Sequence, residues 1–320
     1  MSLHLLTDNL TNPAFLFFVL GILAVHLKSD LCIPPNSSKF ISLYLLFSIG
    51  FKGGQELAHS YFSLEIVWAI LFGLFIAGFI PICSFFILKS KLSNDNAGAI
   101  AAAYGSVSAV TFVTAVSFLD IQHIPFSGHM VAIMAFMEAP AIVVGVLLVK
   151  MNTKKEKDSP KLRQTLSHAL TNGSVILILG SLLIGLLASD EQAEGIKPFT
   201  TDIFKGFLAI FLLDMGISSG KKLKDFFQNG WFVTGFAVLM PLFNGCWVAI
   251  ASQAISIHPG DRFMFAVLAA SASYIAVPAA IKIALPKANP GIYLPMALAI
   301  TFPVNITFGL PIYYALATMF

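Results

Sequence analysis

Two stretches of this 320-residue chain gather hydroxyl groups among very small side chains. Ala99 to Ser108 reads Ala-Ile-Ala-Ala-Ala-Tyr-Gly-Ser-Val-Ser, and Ala269 to Pro278 reads Ala-Ala-Ser-Ala-Ser-Tyr-Ile-Ala-Val-Pro. Each contains a Ser-x-Ser: Ser106-Val107-Ser108 follows Gly105, and Ser271-Ala272-Ser273 precedes Pro278. Glycine or proline at such a point permits a helix to break, and a break frees N–H groups at the start of the second half-helix. Two such N-termini facing each other offer backbone donors and positive dipole ends to an anion. Serine hydroxyls add donors without adding charge, so binding stays reversible. Small residues also allow close helix packing with no ligand present. Duplication at corresponding positions favours a site, and the candidate anion-binding set is Gly105, Ser106, Ser108, Ser271, Ala272 and Ser273.

Two carboxylates fall inside apolar stretches: Glu138, in Phe136-Met137-Glu138-Ala139-Pro140, and Asp214, shortly before Gly216. An ionisable group within a bilayer costs at least a few kcal/mol and is usually tied to a function or a partner. Glu138 is a candidate cation ligand or proton carrier. Asp214 is a second, with pairing to Lys221 or Lys222 near the interface as its alternative. Lys52, between Gly50 and Gly53, either snorkels outward or faces a carboxylate. Thr301, Asn305 and Thr307 offer neutral oxygens to sodium or, equally, hydrogen bonds between helices. No nucleotide-binding loop, zinc motif or nucleophile–base pair occurs, so the sequence points away from an enzyme and from any cofactor other than sodium as a coupling ion.

These residues need elements to hold them, and composition says which kind. Hydrophobic residues make up 57% of the chain and charged residues 11%, with a mean hydropathy of +0.85. A soluble domain carries about 25% charged residues; the solvent for most of this surface must be lipid. A net charge of +3 gives no footprint for nucleic acid. Cys32, Cys83 and Cys246 are scattered and read as packing residues. No Lys or Arg precedes the first apolar run, so that run is expected to remain in the mature protein.

Apolar runs fall at 14–28, 38–56, 64–88, 96–118, 126–150, 171–188, 200–219, 230–256, 262–284 and 290–318. Most approach the ~20 residues a crossing helix needs, and strand-like alternation is absent. The expectation is an all-α membrane protein of about ten transmembrane helices. Alternate connections hold Lys28 and Lys39; Lys89 and Lys91; Lys150 through Arg163; Lys221, Lys222 and Lys224; Lys282 and Lys287. The intervening ones carry Glu56, Glu65, Asp120, Asp190, Glu191, Glu194 and Asp202. The positive-inside rule then predicts a multi-pass bacterial inner-membrane protein with both termini outside the cytoplasm.

The halves also match each other. Gly50-Phe51-Lys52-Gly53-Gly54 aligns with Gly216-Ile217-Ser218-Ser219-Gly220, Ser106-Val107-Ser108 with Ser271-Ala272-Ser273, and Pro140 with Pro303, at nearly constant spacing. An odd number of spans per half makes the repeats inverted, as in many secondary transporters. Residues 1–150 form the first five-helix repeat, 151–170 a basic cytoplasmic linker and 171–320 the second repeat, with helices four and nine broken.

Ile49-Gly50, Gly53-Gly54, Gly105 with Val107-Ser108 and Thr111, Phe136 to Ala141, Met215-Gly216, and Ala269-Ala270-Ser271 with Ser273 and Ile275 form one set of motifs. Leu285-Pro286-Lys287-Ala288-Asn289-Pro290 is the most specific of them. In this set the chain resembles the sodium-dependent bicarbonate transporters of the SbtA type over nearly its whole length. The resemblance implies an inverted five-plus-five fold, usually a homotrimer, with bicarbonate between the broken helices and sodium close by. It also implies, for some members, a PII-like regulator on the cytoplasmic side. It places Gly105, Ser108 and Thr111 in the first half-site, Ser271 and Ser273 in the second, and Glu138 where the family has an aspartate. Tyr274 stands where the family has Asp, and Ala109 and Val110 where it has Gly and Ser. Loss of an acid and a hydroxyl weakens cation binding, so Glu138, Thr111, Asp214, Thr301 and Asn305 are the coupling candidates. The expected cargo is bicarbonate or a similar small monoanion moved with sodium. The alternatives are another small carboxylate with altered or proton coupling, and a membrane sensor that kept the fold without transport.

Overall fold

A computed structural model describes residues 11–59, 63–153, 171, 173–226, 230–274 and 276–319, and every element among them is helical. The basic linker expected at 151–170 lies outside the described residues from 154 onward, as does Ile275.

Prolines and short polar side chains start many of the helices. Helix α1 (Pro13–His26) opens on proline, with Asn12 Oδ1 accepting from Ala14 N–H at 2.9 Å. Helix α2 (Pro35–Ala58) does likewise. Proline costs nothing there, because the first-turn N–H groups have no intrahelical partner. Next come α3 (Leu64–Leu88), α4 (Asn94–Gly105), α5 (Ala109–Ile121) and α6 (His129–Asn152). The second part of the chain supplies α7 (Gly173–Leu187), the short α8 (Asp190–Lys197), α9 (Phe204–Phe226), α10 (Trp231–Ala251), α11 (Pro259–Ala270) and α12 (Ala276–Ala284). The last span, α13 (Pro290–Ala317), winds through two wide π segments, Met296–Thr301 and Asn305–Gly309. Pro295, Pro303 and Pro311 recur along it. Each removes a donor and crowds the preceding turn, which accounts for the widened turns between them.

Among the described residues, six helical stretches are long and apolar enough to cross a membrane: Leu64–Leu88, Asn94–Ile121, His129–Asn152, Asp190–Leu223, Trp231–Ala254 and Pro290–Ala317. The other expected spans fall short for identifiable reasons. Helices α1 and α7 have only 14 and 15 residues. Helix α2 is long enough but carries Lys39, Lys52, Gln55 and Glu56, and the ninth span is split. Outward faces are apolar: α3 buries Ala69, Ile76 and Ile80 while exposing Leu71, Phe75 and Phe79. The Asn94–Ile121 stretch is instead 89% buried, so its break is sheltered by protein. Irregular backbone at membrane depth is tolerated only there or along a cavity.

Two glycine crossings bring helices into backbone contact. A Cβ on Gly21 would lie 2.3 Å from Leu213 O, and one on Gly216 would lie 2.0 Å from Phe18 O, which locks α1 to α9. Gly54 and Gly185 lock α2 to α7 in the same way, with virtual contacts of 2.1 Å to Leu182 O and 2.2 Å to Phe51 O. The close approaches are thus made by Gly54 of α2 and Gly216 of α9. A segment with glycine at 50, 53 and 54 offers more than one register, and only the partner helix selects among them.

Candidate functional site

Helix α4 ends at Gly105 because the next residue turns extended: Ser106 has φ −82° and ψ 168°. Helix α11 ends at Ala270 in the same way, with Ser271 at φ −80° and ψ 162°. Both half-helices are 12 residues long. Gly105 is required by its surroundings, since a Cβ there would sit 2.0 Å from the Pro81 ring of α3. Past the breaks, α5 restarts under Ser108, whose Oγ accepts from Thr111 N–H at 3.2 Å. This cap leaves the N–H groups of Ala109 and Val110 without an intrahelical acceptor. Pro278 lies in the first turn of α12, after the break, where its missing N–H does no harm.

The two breaks are stitched to each other. Ser108 N–H donates to Ser271 Oγ at 2.9 Å, and Ser271 Oγ donates on to Leu268 O at 3.0 Å. Ser273 N–H donates to Ala103 O at 2.8 Å. The Ser106 hydroxyl is fully buried and has no partner among the described residues. Beside the stitch lies a cavity of about 30 Å³, roomy enough for a water-sized species. Ser108, Ala109, Ser273 and Glu138 line it, with Tyr274 closing one side. Glu138 is 8% exposed and makes no hydrogen bond or ion pair among the described residues.

Of the expected site residues, the fold therefore gathers Ser108, Ser273 and Glu138. Gly105, Ser106, Ser271 and Ala272 form the breaks without lining the cavity, and Thr111 lies behind it, its N–H donating to the Ser108 cap. Asp214 stands apart, in a vestibule of about 450 Å³ bordered by Ser38, Lys39, Ser218 and Lys221. Its carboxylate accepts a bond of 2.5 Å from Ser38 Oγ. Thr301 and Asn305 are engaged in the scaffold. Thr301 Oγ1 donates to Ala237 O at 2.8 Å and meets Tyr104 OH at 2.7 Å. Asn305 Nδ2 donates to Ala270 O at 2.7 Å, satisfying the carbonyl freed where α11 ends, and its Oδ1 accepts from Tyr313 OH at 2.8 Å.

Sequence reading did not single out Ser174, which borders both cavities. It also missed Asp261, a fully buried carboxylate that accepts from Ser127 N–H at 2.6 Å and Ser127 Oγ at 2.7 Å, bracing the loop before α6. Ser174 carried no signal in the sequence. Asp261 did, in the first turn of a helix that opens Pro259-Gly260.

A helical protein whose apolar outer surface surrounds two crossed helix breaks and a buried carboxylate has the build of a multi-pass membrane carrier. The chain belongs to the Na+-dependent bicarbonate transporter superfamily, whose family description it matches over residues 13–318. That superfamily consists of transporters, not enzymes. Comparison with curated proteins finds no match.

Proposed function

We propose that the protein is a secondary transporter that carries bicarbonate, or a monoanion of similar size, together with sodium. The observation that carries this reading is the cavity where the first turn of α5, the Ser273 hydroxyl and Glu138 meet. A helix N-terminus and hydroxyl donors suit an anion, but a bare carboxylate beside them repels it. The conflict resolves when a cation joins the anion and neutralises Glu138, which is the requirement of a symport. Among the described residues no three His, Cys, Asp or Glu side chains gather as a metal site. The cation's partners would thus be Glu138 and neutral oxygens, with Asp214 as a second negative charge in the vestibule.

Ten spans in two inverted five-helix halves fit the same reading. It is supported by equal half-helices, equal break geometry, and paired α1–α9 and α2–α7 glycine crossings. By the lysine distribution, the Asp214 vestibule opens to the cytoplasm and both termini lie outside. A homotrimer and a PII-like regulator at the basic linker complete the proposal. The test is thermal unfolding in detergent across a panel of small anions, in sodium and in potassium. A ligand that binds only the native state at 100 times its Kd stabilises by about 2.7 kcal/mol. Bicarbonate should raise the transition more in sodium than in potassium. No anion-dependent shift in either cation contradicts the reading.

A second reading, a sensor that keeps the fold without transport, draws on Tyr274, which walls the cavity. Transport gained by Tyr274→Asp from an inactive parent would favour it.

A further inference from the structure

Tyr274 and Ser174 are the residues common to the linings of the small cavity and the large vestibule. Ser174 is too small to separate them. The Tyr274 ring is large enough to do so, and it borders both the 30 Å³ cavity and the 450 Å³ of open space. On the vestibule side stand Lys39 and Lys221, two cations able to draw in an anion, with hydroxyls from Ser38, Ser42 and Ser218. On the inner side stand Ser108, Ser273 and Glu138.

Residues 271–274 belong to no helix, so the Tyr274 backbone is free of the i→i−4 ladder. Its hydroxyl donates to Met215 Sδ at 3.4 Å, a weak acceptor, and is within hydrogen-bonding reach of the Ser108 hydroxyl, with the Asp214 carboxylate nearby. Among the described residues its aromatic contact is an edge on Phe302, 6.4 Å between centroids. Two other buried tyrosines are anchored firmly by comparison: Tyr104 OH pairs with Thr301 at 2.7 Å and Tyr313 OH with Asn305 at 2.8 Å. A side chain on unwound backbone, bordered by about 450 Å³ of open space, has room to swing.

We propose that the Tyr274 ring is the barrier between the lysine-lined vestibule and the inner cavity, and that it limits what reaches Ser108 and Ser273 to species of about the size of a small inorganic anion. The limit on size rests on the transport reading above; the barrier does not. The ring swings toward the vestibule to admit the ligand and returns behind it.

The test labels cysteines in a background without Cys32, Cys83 and Cys246. Ser273→Cys reports on the inner cavity, Ser42→Cys on the vestibule and Ser84→Cys on a buried site in α3. The probe is a small anionic methanethiosulfonate. Ser42→Cys should label fast whatever stands at 274. If the ring is out of the way a tenth of the time or less, Tyr274→Ala should speed Ser273→Cys labelling about tenfold or more relative to Ser84→Cys. Tyr274→Phe, which keeps the ring, should leave that ratio near the parent's. An unchanged ratio in Tyr274→Ala, including one unchanged because both sites loosen together, overturns the barrier. So does a Phe variant that labels as fast as Ala. In the anion panel, Tyr274→Ala should gain stabilisation by carboxylates larger than bicarbonate, and an identical profile overturns the size limit. Faster labelling with no anion response in either protein retains the barrier and removes the transport reading.

Discussion

Asn305 has little left to give a ligand, because both ends of its amide are spent on the scaffold. Its Nδ2 serves the Ala270 carbonyl at the end of α11, and its Oδ1 receives Tyr313. Asn305→Ala leaves the Ala270 carbonyl unpaired at about 1–3 kcal/mol, while Tyr313 OH keeps Pro241 O at 3.3 Å as an acceptor. Chemical unfolding in detergent should report a loss on that scale, whether or not sodium is present. A loss seen only with sodium would return Asn305 to the cation site. Gly105 makes a steric demand instead of a polar one. Gly105→Ala drives a methyl into Pro81 and should cost about 1–3 kcal/mol as overpacking, read as a lower unfolding midpoint. Glu138→Gln keeps the shape and removes the charge. The variant should fold with an unchanged midpoint and lose the difference between sodium and potassium in its response to bicarbonate. A retained difference would assign the coupling elsewhere, with Asp214→Asn as the next variant to measure. Glu138 was legible in the sequence as a carboxylate inside a span. The engagement of Thr301 and Asn305 was not, because their partners Tyr104, Ala237, Ala270 and Tyr313 are brought to them only by the fold.

On the proposed function the broken helices carry the site, and they are held to each other as a pair. Ser271→Ala deprives the Ser108 N–H of its acceptor inside the protein, a cost of about 1–3 kcal/mol. Ser273→Ala removes a hydroxyl but keeps the backbone bond to Ala103, and should leave stability nearly unchanged while weakening the anion response. Equal destabilisation by the two would contradict the division between stitch and lining. Helix α5 ends on His123 in the left-handed region, φ 55°, with Ile124 N–H reaching back to Leu119 O. A side chain there costs roughly 1–2 kcal/mol that glycine avoids, so His123→Gly should raise the unfolding midpoint. The breaks were readable because Ser-x-Ser recurs beside a helix-permissive Gly or Pro, and breaking a helix is a local property. How α2 meets α7 was not, because glycines at 50, 53 and 54 each permit a close approach and only the partner helix selects among them. The shortness of α1 and α7 was likewise partly visible in their apolar runs, the shortest in the chain.

Around this centre, α2 runs between two openings of unlike charge. The vestibule beside its first turn is bordered by Lys39, Lys221 and Asp214, and a cavity of about 200 Å³ near its last turns by Lys52, Glu56 and Asp120. The lysine asymmetry of the loops foretold which end is the more basic. The sequence could not tell that Tyr274 borders both the vestibule and the inner cavity, because cavities are a property of the assembled helices. On the proposed function the inner cavity is the transport site, and the vestibule on the lysine side is its approach. The measurement that tests this account most directly is uptake of labelled bicarbonate into proteoliposomes with and without an inward sodium gradient. The account predicts uptake that follows the sodium gradient and falls to the level of empty vesicles when potassium replaces sodium. Uptake at that background level under both conditions, from protein that unfolds cooperatively, would contradict it.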